Sequence, residues 1–514
     1  MKNKFLSMKK LIDKYIYDKR LSYILIFCIS LIIPTILVLH KGEFWNASDL
    51  IIYSVECLLV LINLYLIIFN IIRRNFRIEH IFLNLMIPIG CMYLVCLIPN
   101  CAYDEGAHAY RTYVITQGHF ITDRTDEKTP KMEVPRELID SLEIHTYKEL
   151  VTAIKTKTDY DDVVLVGNDG VGASNYSFVN YIFPAIGMSI GNIFNINIVL
   201  SYYLARVVSF IAFLILSFFT IRKLPFGKMV MFVYLFNPIL IQQCVSISAD
   251  NIVNSISFLI VAFIINKLFS KEKITNKELG IMGVLSCLLG ILKYVYFPLT
   301  FIMLLLIKNN PEKKKKIIGI IFVSILCAVV TYFCMSLMYS NPNSHVLLNG
   351  IDSGAQLKFI LNNPFRYLMI ILKTTIKNFE FYFFTFFGRH LGNFTIHLTS
   401  MVSIIYAFIL LLSPVLENNK FEFKKTSKLW IVIVILMIYG LIETGLYLLW
   451  TKVGANIVEG IQGRYFIPFA FLIPMLFITK KNELHFKNRN FWVCTSLLFL
   501  NLVALYTIFR HFNY

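Results

Sequence analysis

The sequence predicts an all-α integral membrane protein, a polytopic helical bundle with a long polar loop after its third span. Three observations carry this. The 514 residues are 57% hydrophobic, with a mean hydropathy of +0.66, whereas soluble chains are about 45–50% apolar. Apolar runs of about 18 residues or more recur from end to end. Basic residues gather in short segments between those runs, the positive-inside pattern. A β-barrel would instead show short alternating segments. The formal charge of +18 is explained by this topology better than by nucleic-acid binding, and no nucleic-acid partner is expected. Most of the ten cysteines sit inside apolar runs with no C-x-x-C pair, which excludes a disulfide framework and a cysteine metal site.

Taken in order, the basic N-terminus (Lys2, Lys4, Lys9, Lys10, Lys14, Lys19, Arg20) precedes an apolar run, Leu21 to Leu39. That run is too long for a signal-peptide core, so it reads as an uncleaved first span with a cytoplasmic N-terminus. The second span, Leu50 to Ile72, ends inside at Arg73, Arg74 and Arg77. The third, Ile81 to Ile98, then delivers Asp104 and Glu105 outside. The polar segment that follows, residues 99–180, holds nearly half of the chain's 31 Asp and Glu and a small share of its Lys and Arg. Within it Val163 to Val166 reads as a short strand and Asn168-Asp169-Gly170-Val171-Gly172 as a turn.

Tyr181 to Asn195, with Pro184, Gly187 and Gly191, is expected to lie along the outer interface. Met229 to Val245 reads as one span, followed by an outer corner, Ser246 to Asn251. Leu279 to Ile307 reads as two short helices with Lys293 near their outer turn. About 13 crossings result. The chain divides into a tail with three spans (1–98), the loop (99–180) and the remaining membrane core (181–514).

The polar residues that look out of place all fall on the outer face: Asp104, Glu105, His108, Arg111, Asp250, Lys293, Glu459, Gln462 and Arg464. On a helix opening at Asp104, with about 100° per residue, Asp104, His108 and Arg111 lie within roughly 60° of one another, with Gly118 as C-cap. The plain alternative makes Asp104 an N-cap and the other two solvated residues. In Ile457 to Pro468, glycines flank Gln462 and allow close backbone approach to a ligand. Arg464 and Tyr465 stand at the mouth of a span, where a guanidinium needs a carboxylate or phosphate partner or serves as an interfacial anchor. Lys293 either snorkels or meets an anion. Asp250 is a ligand or the N-cap of a helix starting at Asn251. Glu56, Arg206 and Glu443, inside predicted spans, pair with each other or mark a pathway.

No P-loop, G-x-G-x-x-G, H-E-x-x-H or G-x-S-x-G motif is present. Nucleotide-driven transport and serine hydrolysis are therefore unsupported. A carboxylate beside cations at the membrane surface suits transfer from a lipid-linked phosphosugar. Arg and Lys hold the phosphate and stabilise its departure, and the carboxylate deprotonates the acceptor hydroxyl. No ATP is needed, because such a donor already carries the energy. A divalent metal beside Asp104 and Glu105 would need further ligands, because two adjacent carboxylates are a poor metal signature.

Several stretches match a known pattern in order: P-N-C-A-Y-D-E-G-A-H-A-Y-R from Pro99, Y-I-F-P at Tyr181, S-I-S-A-D-N at Ser246, L-K-Y-V-Y-F-P-L around Lys293, Q-L-K-F-I-L-N-N-P at Gln356 and I-Q-G-R-Y-F-I-P at Ile461. On these the chain resembles a bacterial family of predicted multi-pass membrane proteins of unknown function, related in architecture to GT-C glycosyltransferases. The first two spans look like an addition, and Tyr103 stands where the family often has proline. The resemblance implies a GT-C-like core whose first external loop carries Asp104 as general base, with Glu105 orienting acceptor or donor. Arg464, Gln462 and Lys293 would handle phosphate, with His108, Arg111 and Tyr465 beside them and Asp250 and Glu459 as further candidates. The donor would be a polyprenyl-phosphate sugar and the acceptor an external cell-envelope glycan, such as a teichoic acid or wall polysaccharide. The site would face outward from the bacterial plasma membrane. A lipid-linked oligosaccharide transporter and a non-catalytic envelope assembly protein are the rival expectations.

Overall fold

Long helices form along the apolar runs, even where Pro34 and Pro88 fall inside them, and other apolar tracts are broken at a proline or at a charge. The computed structural model describes residues 21–124, 130–166, 172–174, 176–338, 351–417, 421–480 and 488–513. The basic N-terminal segment and most of the turn expected at Asn168 to Gly172 lie outside them. Among the described residues, eight helices are long and apolar enough to cross a membrane, or nine if one bent pair counts as a span. Four shorter apolar helices accompany them, Phe178–Ile193, Tyr294–Leu306, Ser400–Val415 and Gly463–Leu476. The tally of spanning length is below the expected 13 or so because several apolar tracts are broken into shorter pieces.

One break falls in the expected Met229 to Val245 span. Pro238 cannot continue a helix and biases Asn237 out of the α region. Two helices result, Lys228–Leu235 and Pro238–Val245, bent by 67°. Asn237 seals the corner, accepting from the Ile239 amide at 3.1 Å and donating to the Phe386 carbonyl at 2.8 Å. A second break falls where expected. The α-helix Asn276–Leu292 stops at Lys293, whose backbone is extended (φ −161°, ψ 99°), and a 3-10 helix, Tyr294–Leu306, follows.

The expected interfacial segment is a helix, Ile182–Ile193, laid closely against the Ile198–Lys223 helix. Its glycines explain the fit. A Cβ on Gly187 would lie 2.3 Å from the Leu204 carbonyl, and one on Gly191 1.9 Å from Ser201 Oγ. This is small-residue packing of the kind that joins helices in lipid. The first two long helices, Leu21–Lys41 and Asp49–Arg73, attach through buried amides. Asn63 donates to Ser30 at 2.8 Å and Asn70 to Asn84 at 2.9 Å, bonds worth about 0.6–2 kcal/mol each in a bilayer.

Part of the polar loop folds into a small lobe. Strand Glu133–Pro135 pairs antiparallel with Val163–Leu165, beside helices Arg136–Ser141 and Tyr147–Lys155. Tyr147 is buried. Its hydroxyl donates to the Cys96 carbonyl at 2.9 Å, and its ring meets Phe509 and Phe512. The lobe is thereby fastened over the end of the Ile78–Cys96 helix, at the end of the bundle where the charged residues collect.

Candidate functional site

The site begins with a knot beneath it. A helix end leaves its last carbonyls without partners. At the end of Ile78–Cys96, Arg206 supplies the donors, to Leu94 at 3.3 Å, to Ile98 at 2.9 Å and also to Leu97. The same guanidinium grips Glu105 through Nε at 2.9 Å and Nη2 at 2.7 Å. Glu105 in turn accepts from the amides of Ala102 at 3.1 Å and Ile247 at 3.0 Å. Both side chains are fully buried. Arg206 thus pairs with Glu105, not with Glu56 or Glu443. Both Glu105 oxygens are committed to protein groups.

Glu105 opens the Glu105–Thr116 helix, and Asp104 precedes it in the left-handed region (φ 57°, ψ 14°). Asp and Asn enter that region at small cost. Asp104 occupies the N-cap position, yet its side chain caps nothing among the described residues. Asn100 takes that task, accepting from the Gly106 amide at 3.0 Å. The Asp104 carboxylate, 62% exposed, is left to meet Arg464 Nη2 at 2.6 Å. Partial enclosure raises its pKa, but the Arg464 charge and hydrogen bond outweigh that and hold it below the usual carboxylate range.

Arg464 is 6% exposed. Its guanidinium lies 4.5 Å from the Tyr103 ring centre and 5.2 Å from that of Tyr465, and its Nη1 is 3.9 Å from Asp250. Its Nε is buried with no hydrogen-bond partner among the described residues. Asp250 accepts from Lys293 at 3.1 Å and from Gln243 at 3.1 Å. The Lys293 ammonium sits among the rings of Tyr176, Tyr296 and Tyr465, 5.3–5.8 Å from their centres. Cation–π attraction contributes about 0.5–2 kcal/mol per good contact.

The structure therefore brings together Asp104, Asp250, Lys293, Arg464 and Tyr465, with His108 alongside. Burial pushes the His108 imidazole down to about 4, against the pull of Asp104 and Asp250. It is neutral at pH 7 and hydrogen-bonds Tyr181 through Nδ1 at 2.7 Å. Arg111 does not join. Its guanidinium donates to the carbonyls of His119 at 3.1 Å and Phe120 at 2.6 Å, tying down the turn after the helix. That turn is a Schellman motif with Gly118 at φ +89°, where the Gly118 amide bonds Ile115 and the His119 amide bonds Val114.

Glu459 is exposed, and its carboxylate forms no ion pair among the described residues. Gln462 lies on the same loop as Arg464, with its Oε1 buried and unpaired. The neighbouring glycines lie hard against other parts of the chain. A Cβ on Gly463 would come 2.3 Å from the Tyr382 carbonyl, and one on Gly460 2.5 Å from the Trp450 ring. Asp250 is not an N-cap; Ser248 is, accepting from the Asp250 amide. Tyr103, Tyr176 and Gln243 went unforeseen. Gln243 follows the Pro238 break, and the polar pair Gln242-Gln243 in an apolar tract is the signal that marks it.

No step through a metal is supported. Asp104 and Glu105 are engaged by different arginines, and the described residues contain no group of three His, Cys, Asp or Glu placed to hold an ion.

Fold and site together define a polytopic α-helical membrane protein with a two-acid, two-base cluster at one end of its bundle. Residues 87–473 match the family model of the predicted membrane protein DUF2142. The chain belongs to this family, whose match begins inside the Ile78–Cys96 helix and leaves out the two helices before it. No curated protein and no solved structure matches the chain.

Proposed function

We propose that the protein is a membrane glycosyltransferase with a GT-C-like core. It moves a sugar from a polyprenyl-phosphate carrier to an extracytoplasmic cell-envelope glycan at the bacterial plasma membrane. The observation that carries this reading is an exposed carboxylate, Asp104, beside a buried guanidinium, Arg464, with an unclaimed N–H. In the reaction the acceptor oxygen bonds to the anomeric carbon while the bond from that carbon to the phosphate oxygen breaks. The acceptor proton passes to Asp104, and the electron pair leaves with the phosphate, stabilised by Arg464 and Lys293. Tyr103 and Tyr465 offer flat faces of the kind that border sugar rings and apolar chains.

The test compares wild type with Asp104→Asn in membranes given radiolabelled polyprenyl-phosphate sugars and envelope acceptor. Transfer is expected to fall about 10²–10⁴-fold at unchanged protein level. Unchanged transfer would place the chemistry elsewhere. One observation favours transport as a second reading: Glu443, fully buried within the Lys425–Leu449 helix, has one oxygen bonded to Tyr439 at 2.6 Å and the other unpaired. Buried carboxylates in spans often mark ion pathways. Uptake or flipping of a lipid-linked sugar that requires Glu443 and not Asp104 would favour it.

A further inference from the structure

We infer that Asp104 and the phosphate of an anionic ligand compete for the same edge of Arg464, so that ligand binding unmasks the Asp104 carboxylate. This deepens the proposed function and rests on its assignment of phosphate to Arg464.

The argument starts from charge. Asp104 and Asp250 are balanced by Lys293 and Arg464, and His108 is neutral. A phosphate entering such a cluster meets no surplus positive charge. It gains a place only if a carboxylate gives one up. The two carboxylates differ in how readily they leave. Asp250 is 15% exposed and held by both Lys293 and Gln243; releasing it would strand a charge in a buried setting. Asp104 is 62% exposed and, among the described residues, its carboxylate is held by Arg464. Its released carboxylate passes into solvent at little cost.

Geometry agrees. A guanidinium presents Nε–H and one Nη2–H along a single edge, and that edge takes a carboxylate or phosphate in a two-pronged fashion. Asp104 meets Nη2, at 2.6 Å, and Nε is left buried with no hydrogen-bond partner among the described residues. It occupies half of the edge that a phosphate would fill. Tyr103, 4.5 Å below the guanidinium centre, and Tyr465 hold the group in place while partners exchange.

The free protein therefore keeps its carboxylate paired and weakly basic, and the ligand restores its basicity by removing the pair.

The test uses binding, not turnover, so that it can fail independently of the transferase reading. Purified full-length protein in detergent is titrated with farnesyl phosphate, with inorganic phosphate and with farnesol. Competition predicts that Asp104→Asn binds farnesyl phosphate about tenfold more tightly than wild type, since the rival anion is gone. Arg464→Lys, which keeps charge and loses the forked edge, is predicted to bind at least tenfold more weakly. Farnesol is predicted to show neither change. Inorganic phosphate is predicted to follow the same order as farnesyl phosphate, at lower affinity, if the headgroup alone drives the exchange. Equal or weaker binding of farnesyl phosphate by Asp104→Asn overturns the competition, whether or not sugar transfer is ever observed. Absence of farnesyl phosphate binding by all three proteins overturns it as well. Tighter binding by Asp104→Asn combined with no transfer from any donor would retain the exchange and reject the transferase.

Discussion

Asp104 and Glu105 are neighbours of the same charge, and the backbone sends them to different tasks. The left-handed turn at Asp104 points its carboxylate toward solvent and Arg464, while Glu105 dives to Arg206. Nothing in the pair D-E says which acid goes where, because the choice is made by a backbone angle and by Arg206, which arrives much later in the chain. His108 was legible as a polar residue on the Asp104 face but not as a neutral one; its burial comes from Tyr176 and Tyr181. That burial has a pH consequence. The unfolded imidazole titrates near about 6.5, and the folded one at about 4. Between those values the unfolded chain takes up a proton that the native chain refuses, so stability is lost as pH falls through that window. The Asp104 pair contributes in a lower range, since its folded pKa is depressed and its stabilisation fades only as pH drops through that value. Thermal melts in detergent should show wild type losing stability from pH 6.5 to pH 4, a window given by those two pKa values. His108→Gln should flatten that loss by up to about 3 kcal/mol. Parallel pH profiles would refute a native His108 that resists protonation.

At the scale of elements, breaks were easier to read than contacts. Lys293 interrupts an apolar tract, and a helix break at that point, where the charge can find a partner, follows from the cost of a charge in lipid. The Pro238 break was equally visible in sequence, yet the tract on either side is apolar enough to pass as one span. The glycines of Ile182–Ile193 were visible too, and what they do was not. They match the contour of another helix, a property of two elements at once. Gly191→Leu is expected to separate this helix from Ile198–Lys223. Because overpacking a close contact costs about 1–3 kcal/mol or more, detergent-solubilised protein should melt at lower temperature and yield less monodisperse material. An unchanged melting curve would mean that the two helices are not held together there.

Across the whole molecule, the site joins distant residues, the Asp104–Arg464 ion pair alone spanning 360 positions. Each of the stretches that build it carried unexpected polar residues, four of them between Asp104 and Arg111. Their common placement could be anticipated only through topology, and their actual partners only through the fold. Arg111 and Glu459 satisfied the same topological expectation and lie outside the cluster, since topology selects a face and not a position upon it. The proposed outward orientation has a direct check. Phe120, 54% exposed on the turn after the Glu105–Thr116 helix, can be replaced with cysteine. In intact cells Phe120→Cys should react with a membrane-impermeant maleimide above the background of the native thiols. Labelling only after the cells are opened would put the cluster on the cytoplasmic face.

The ion pair of Glu105 and Arg206 also bears on how the chain is made. Glu105 is synthesised 101 residues before Arg206, with the loop and the Ile182–Ile193 helix between them. Arg206 then enters the membrane as part of an apolar helix that could ill tolerate it alone. Its arrival neutralises both charges and closes the exposed carbonyls at Leu94, Leu97 and Ile98. Without Arg206 neither the Glu105 carboxylate nor those carbonyls has this partner, so the platform beneath Asp104 cannot be complete before the Ile198–Lys223 helix has been made.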